Sequence, residues 1–268
     1  MNTQHALIDI GANLTHESFD ADREAVIRRA LAAGIQQFIV TGSDAQHSRL
    51  ALDLSRQWPG VLFATAGTHP HQAKNFEPAA LDKLRALLVA PEVVAVGECG
   101  LDYFRNFSPQ DRQRQVFETQ LELAAQTGKP VFLHQRDAHS DFVAILRRWR
   151  PRLSAAVVHC FTDGEQALRD YLELDCHIGI TGWICDERRG AQLRELVKLI
   201  PADRLMLETD APYLLPRDLG PQAHAHRNEP MHLAHICDML ARCVGKPATQ
   251  LAAETTANSQ RFFHLRPA

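Results

Sequence analysis

Four apolar runs in the chain end on a residue that can bind a metal ion. They are VVAVGE ending on Glu98, PVFLH on His134, AAVVH on His159 and LMLETD on Asp210. A histidine after one such run is ordinary, and so is one acid. Four such endings, if the runs converge, bring two carboxylates and two imidazoles to one place. Without a cation that cluster would repel or neutralise itself, and a divalent ion removes the cost. Donors of this mixture suit Zn2+, Mn2+ or Fe2+, and Mg2+ less readily. An ion held there can lower the pKa of a water and polarise a carbonyl or phosphoryl oxygen. Glu98 and Asp210 are the candidate catalytic carboxylates. Asp210 is the better candidate to take the proton from that water, since a strand-end acid beside a metal can touch both.

Other polar residues fall at the ends of the remaining runs. Asn13 follows the first, and His69 and His71, in GTHPH, follow the third. The two histidines could serve as a metal pair or as donors to a phosphate. Glu208 lies two residues before Asp210, on the same side of an extended chain, where it could brace a ligand. Arg105, Arg136, Arg188, Arg189, Arg217 and Arg227 follow the strand-end residues. Guanidinium groups around a metal favour a substrate that carries phosphate, and Arg136 and Arg227, with His69, His71 and Asn13, are the candidate substrate contacts. The densest basic run, RRWRPR at 147–152, precedes the sixth strand and is expected on the opposite, solvated face.

The elements that must position these residues are short. Eight β-like runs appear: ALIDI, QFIVTG, VLFATAG, VVAVGE, PVFLH, AAVVHC, CHIGI and LMLETD. Most are continuously apolar, as in strands buried on both faces of a parallel sheet. Helical stretches alternate with them. In SPQDRQRQVFETQLELAAQTGKP, Ser108 is placed as N-cap and Pro109 at the first helical position. Val116, Phe117, Leu121 and Ala124 recur at helical spacing, and Gly128 ends the run. RRGAQLRELVKLIP puts Leu193, Leu196, Val197 and Ile200 on one face. Eight βα units predict a (β/α)8 TIM barrel, one domain over residues 1–268, with strand C-termini facing the active site. A doubly wound open sheet is the alternative, but no GxGxxG, Walker or GxSxG motif is present. The proline-rich stretch 212–230 reads as a loop within the domain.

Bulk properties narrow the classes. Apolar residues make up 45% and charged residues 23% of 268, enough for a large core under a polar surface. A net charge of −3 argues against a protein that coats duplex nucleic acid or an anionic membrane, and leaves room only for a local basic patch. Six cysteines without a CxxC pair read as buried free thiols in a reducing compartment. MNTQHALIDIG lacks a basic n-region and an apolar h-region, so a cytoplasmic protein with no membrane association is expected.

The motifs DIGANL, AGTHPH, VGECGLDYFRNFS, VFLHQRDAH, VVHCFTDG, GITGWICDERRG, LMLETDAPYLLPR and RNEP, in this order, resemble the TatD family of metal-dependent deoxyribonucleases. The resemblance spans nearly the whole chain. It implies a TIM barrel and metal ligands at Glu98, His134, His159 and Asp210. It also implies a Mg2+-dependent 3′→5′ exonuclease on single-stranded DNA or RNA ends, with a part in DNA repair; Mn2+ and Zn2+ are the alternative ions. Many members carry His-x-His after the first strand, where this chain has Gly11 and Asn13. Glycine cannot ligate and asparagine offers only a neutral oxygen, so one firm metal site and at most a weak second one are expected. No obligate protein partner is implied, and a monomer is expected. Two other classes fit parts of the pattern. A metal-dependent amidohydrolase or lactonase would keep the barrel and the metal, but gives the arginines no task. A degenerate, non-catalytic barrel that binds without reacting is opposed by the complete Glu98, His134, His159 and Asp210 set.

Overall fold

The computed structural model describes residues 6–220 and 227–267. Among them are eight strands: β1 Leu7–Ala12, β2 Ile35–Val40, β3 Leu62–Ala66, β4 Val93–Asp102, β5 Val131–Arg136, β6 Ala156–Val158, β7 Cys176–Ile180 and β8 Leu205–Leu207. They form one sheet in chain order, with parallel pairing recorded for β3–β4, β4–β5, β5–β6 and β7–β8. Ala12 bridges in parallel to Ala211, just past β8. This is the strand order of the expected (β/α)8 barrel. The helices between strands are α1 Arg23–Ala32, α2 Ala45–Gln57, α3 Pro78–Leu87, α4 Gln110–Thr127, α5 His139–Trp149, α6 Glu165–Glu173 and α7 Ala191–Leu196; α8 Leu233–Val244 and α9 Ala248–Phe263 follow β8. No described helix is long and apolar enough to cross a membrane.

All eight apolar runs became strands, and every residue of β1 and β4 is buried. Four local expectations need correction. Glu98 does not end β4, which continues to Asp102, and His134 does not end β5, which continues to Arg136. Ser108 does not cap α4: the cap position is Pro109, and the Ser108 hydroxyl is engaged elsewhere, donating to His71 O at 2.9 Å and accepting from Lys74 N at 3.0 Å. The helix through Leu193 stops at Leu196 and continues as a 3-10 turn, Val197–Leu199, although Leu193, Leu196, Val197 and Ile200 are all buried as expected. Residues 221–226 of the proline-rich stretch and residues 1–5 of the amino terminus lie outside the described residues.

The chain divides into two compact units. One comprises Met1–Ile39, Cys160–Glu165 and Ile178–Ala268, and the other Val40–His159 and Gln166–His177.

In the second unit, β3, β4 and β5 lie so close that two β4 positions admit no side chain. A Cβ on Gly97 would fall 2.4 Å from Phe132 O, and one on Gly100 only 1.9 Å from His134 O. Both glycines have φ values (149° and 146°) that L side chains rarely adopt. The register between β4 and β5 shifts between Gly97 and Cys99, which sets Gly100 opposite His134. Helix α4 then pins the strand ends with two buried glutamines. Gln120 accepts from Thr68 N at 2.6 Å and donates to Thr68 O at 3.0 Å. Gln113 accepts from Asp102 N at 2.8 Å and donates to Asp102 O at 3.0 Å and Ser108 O at 2.8 Å. Val116, Phe117, Leu121 and Ala124 supply the apolar part of the same face, with Phe117 stacked on Phe142 of α5 at 5.3 Å. Gly128 closes α4 in the left-handed conformation, φ 70°, as the sequence predicts.

In the first unit, the carboxylate of Asp9 is fully buried in β1. It accepts from Gly11 N, Thr209 N and Thr209 Oγ1 at 3.2, 2.9 and 2.5 Å. Burial outweighs these donors and pushes its pKa up to about 7. Asn228, also buried, donates to Thr209 O at 2.9 Å and Tyr213 O at 2.7 Å, fixing the chain that follows β8.

The β4–β5 spacing yields a test. Gly100→Ala is expected to cost at least about 3 kcal/mol, because it adds a clash to an unfavourable φ. Gly60→Ala, at φ 79° but with nothing within 4 Å of the added carbon, is expected to cost only about 1 kcal/mol. Urea titration of the two variants checks this, and equal losses would remove close strand approach as the reason for Gly100.

Candidate metal centre

The Glu98 carboxylate, 7% exposed, lies among the imidazoles of three neighbouring elements. His134 from β5 puts Nδ1 2.9 Å from Glu98 Oε1. His159, just past β6, puts Nε2 2.8 Å from the same oxygen. His69, from the turn after β3, puts Nε2 at 3.3 Å. Glu98 N donates to Gly42 O at 2.8 Å, His69 N to Ser43 O at 2.9 Å and His159 N to Leu133 O at 2.9 Å, so each backbone is fixed as well as each side chain.

The hydrogen-bond partners separate the roles of the three rings. His69 Nδ1 accepts the backbone N–H of His71 at 3.1 Å, so the ring proton sits on Nε2, 3.3 Å from Glu98 Oε1. Burial lowers the His69 pKa to about 4, which keeps the ring neutral with that one proton. His134 faces two acids: Nε2 lies 3.3 Å from Asp102 Oδ2. A proton held there leaves Nδ1 as a lone pair, an arrangement usual for metal-bound histidines. Asp102 also takes His71 Nε2 at 2.7 Å, and its Oδ1 accepts Arg105 N at 2.7 Å.

Electrostatics follow from this packing. Burial acts to raise the Glu98 pKa, but the surrounding imidazoles, with hydrogen bonds from His134 and His159, hold it well below the usual carboxylate range. Burial likewise works against ionised Asp102, and the hydrogen bonds from His134 and His71 outweigh it. Burial acts to lower the His134 pKa, and Asp102 and Glu98 together raise it. The group is therefore an ionised carboxylate hydrogen-bonded by imidazoles, whose nitrogens become lone-pair donors when a divalent first-row cation displaces the shared protons. His69, Glu98 and His134 offer donor atoms within 4.8 Å of one another. Donors at right angles around an ion with bonds of about 2.1 Å stand about 3 Å apart, the spacing of His134 and His159 from Glu98 Oε1. Among the described residues this donor chemistry fits a metal ion, with His159 Nε2 beside the same Glu98 oxygen.

The remaining sequence candidates are placed as follows. Asp210 lies in the other unit, where its Oδ1 accepts Asn13 Nδ2 at 3.0 Å and its N–H donates to Gly11 O at 2.8 Å. The Asn13 amide is thus a partner of Asp210. Glu208 is buried in that unit as an acceptor for Cys160 N. Arg227 pairs with Asp22 at 2.5 Å and Glu229 at 3.4 Å and lies over Phe19 at 4.7 Å, so its charge is engaged within the fold. Arg189 and Arg217 both pair with Asp186. Arg136 lies over the Phe104 ring at 4.0 Å. In the basic run, Arg148 pairs with Glu118 and Arg150 with Asp175. The residue that sequence reasoning missed is Asp102. Its signal was present: GECGLD keeps an extended character, and an acid four residues past Glu98 reaches the next imidazole.

With the geometry in hand, comparison with known proteins is informative. The family model of TatD-related DNases matches residues 8–264. A "3′-5′ ssDNA/RNA exonuclease TatD" of Erwinia tasmaniensis is 51% identical over 259 residues, covering 97% of this chain and 100% of that protein. The protein of the same description from Salmonella typhimurium is 47% identical, covering 97% and 99%. The crystal structure of YjjV, a TatD homologue of Escherichia coli K12, superposes with a TM-score of 0.89 at 29% identity, covering 98% of this chain and 100% of that one. The relatives match end to end and the family model spans nearly every described residue, so this chain belongs to the family of TatD-related DNases.

Proposed function

We propose that the chain is a divalent-metal-dependent 3′→5′ exonuclease acting on the ends of single-stranded DNA and RNA. The observation that carries this reading is the single Glu98 oxygen within 2.9 Å of both His134 Nδ1 and His159 Nε2, with Asp102 behind His134. The activity in the names of relatives up to 51% identical supplies substrate and polarity. The ion we assign is Mg2+, with Mn2+ or Zn2+ able to take its place. When bound, it supplies a Lewis acid for the phosphoryl oxygen and a water of lowered pKa.

The protein's own groups then divide the work. Glu98, His134 and His159 hold the ion. His69, with Nε2 3.3 Å from Glu98 Oε1, packs against that carboxylate. Asp102 orients His134, and His71 with it. Asp210, the acid at the end of the eighth apolar run, is assigned the proton from the water, and Asn13 orients its carboxylate through the Oδ1 contact. Gly11 offers no donor atom and Asn13, its Nδ2 given to Asp210, offers only a neutral oxygen, so one ion is held firmly and a second only weakly. Residues 1–268 are read as one domain, since the family match runs through both compact units. Six free cysteines suit a reducing compartment such as the cytoplasm.

Two experiments test this. Glu98→Gln and His134→Ala are each expected to abolish Mn2+ binding in titration calorimetry and digestion of end-labelled single strands, with circular dichroism unchanged. Asp102→Asn, one step further out, is expected to weaken metal binding by about 10- to 100-fold without abolishing it. Full activity in Glu98→Gln would remove the centre as drawn.

The second concerns the strand. Opening a duplex costs about 1–2 kcal/mol per base-pair step in stacking, and a net charge of −3 provides no long basic track to offset it. Single strands and frayed ends are therefore expected to be digested well ahead of blunt duplex. Activity should decline with salt along a shallow slope, because few phosphates are neutralised. Equal rates on blunt duplex and single strands, in a time course with Mg2+, Mn2+ and chelator in parallel, would overturn the proposed substrate. Turnover of amides with none of phosphodiesters would overturn the reaction class.

A further inference from the structure

Beside the metal centre, the chain exposes two phenylalanines in five residues. The segment Tyr103–Phe107 leaves β4 immediately after Asp102, and Phe104 and Phe107 are 54% and 55% exposed. The other exposed large apolar residues, Leu50, Val89, Leu199 and Tyr213, are spread along the chain. Single exposed apolar side chains need no explanation, but two aromatic rings in one loop at a candidate centre do.

Their surroundings are specific. The Phe107 ring meets His71 edge-on at 4.8 Å, and His71 in turn holds Asp102 at 2.7 Å. Phe107 is therefore separated from the carboxylate that orients His134 by one imidazole. The Arg136 guanidinium lies over Phe104 at 4.0 Å, and the Arg105 guanidinium stands at 5.7 Å from the same ring. Neither arginine has an ion-pair partner among the described residues, in contrast to Arg227, Arg217 and Arg189. Two cations without an ion-pair partner at a half-exposed ring, Arg136 over one of its faces, complement what a strand of nucleic acid carries: a flat base and a phosphate a few ångströms away.

The loop is also held in advance. Tyr103 N donates to Arg136 O at 2.9 Å, and Arg105 N to Asp102 Oδ1 at 2.7 Å. The Tyr103 hydroxyl donates to Asp141 Oδ2 at 2.6 Å, and Arg114 bridges both, at 3.0 and 2.9 Å. Gln113 holds Ser108 O at the far end of the segment. The rings are carried on a fixed backbone, so little ordering cost falls on binding. No packing demand accounts for their exposure.

We propose that Phe104 and Phe107 form a stacking platform for nucleobases at the 3′ end of the substrate strand, with Arg136 and Arg105 taking the adjoining phosphates. This deepens the nuclease reading and rests on it. Stacking on an aromatic face is tolerant of base identity, which suits an enzyme that must remove every nucleotide in turn. It also selects single strands directly, since a base inside a duplex has no free face to offer.

The test uses the full chain and single-stranded oligonucleotides carrying 2-aminopurine at the last, the second-last or a distant internal position, with chelator present so that nothing is digested. Quenching of the probe is expected at the two 3′ positions and not at the internal one. Phe104→Ala is expected to weaken binding about 10-fold or more, within the range for loss of one base–aromatic stack. With Mg2+ restored, KM should rise by a similar factor while kcat changes little. Phe104→Trp should restore binding and Phe104→Leu, which keeps bulk without a π face, should not. Replacing the 3′-terminal nucleotides by abasic ones should weaken binding to the parent protein and have no further effect on a Phe104→Ala/Phe107→Ala variant. The platform is overturned if the alanine variants, with unchanged melting, bind and quench as the parent does, or if abasic ends bind equally well. If the parent itself digests no single strand with any divalent ion, the nuclease reading fails; digestion by the parent with unaffected variants overturns the platform alone.

Discussion

Everything near the centre is arranged around a carboxylate that should not be buried. Taking an ionised Glu98 out of water costs several kcal/mol, and that cost is offset only while His69, His134 and His159 remain at 2.8–3.3 Å from its oxygen. The three imidazoles come from three different elements, so the offset depends on the spacing of β3, β4, β5 and β6 to a few tenths of an ångström. That requirement explains glycine at Gly97 and Gly100, where any side chain would hold β5 away. It also explains why two buried glutamines of α4 spend their hydrogen bonds on the backbone beside Thr68 and Asp102 instead of being replaced by leucine. A leucine would pack, but it would not hold a strand end in place. The same device recurs in the other unit, where Asn228 fixes Thr209 and Tyr213 and so the segment that contains Asp210.

The sequence was most legible where burial on both faces leaves no choice of residue. Continuous apolar runs identified all eight strands, and their endings identified Glu98, His134 and His159 as residues that come together. It was less legible where one polar group competes with another. Ser108 has the right chemistry for a helix cap, yet His71 O and Lys74 N engage its hydroxyl first. Arg227 resembled a cation awaiting a phosphate, but Asp22, more than two hundred residues earlier in the chain, takes its charge. No local pattern contains that pairing. Asp102 was hidden for a different reason: with Glu98 taken as the strand end, the next acid fell in an assumed loop, although the strand runs on to reach it. Phe104 and Phe107 were invisible because an aromatic residue in a sequence carries no mark of whether it ends inside or outside.

Asp102 joins the candidate metal centre to the proposed stacking loop. One of its oxygens faces His134 and His71, and the other receives the backbone N–H of Arg105 at the base of the exposed loop. A single carboxylate thereby contacts a candidate metal ligand and holds the backbone of the loop that carries Phe104 and Phe107. For an enzyme that removes terminal nucleotides the coupling has a physical reason. The scissile phosphate lies one sugar away from the base that is stacked, so the distance from platform to metal must match a fixed covalent length. Two independently anchored parts would each contribute their own thermal spread to that distance. Anchoring both through one buried, multiply hydrogen-bonded side chain removes one of the two contributions, and it does so with a group whose burial is already offset by the donors it organises.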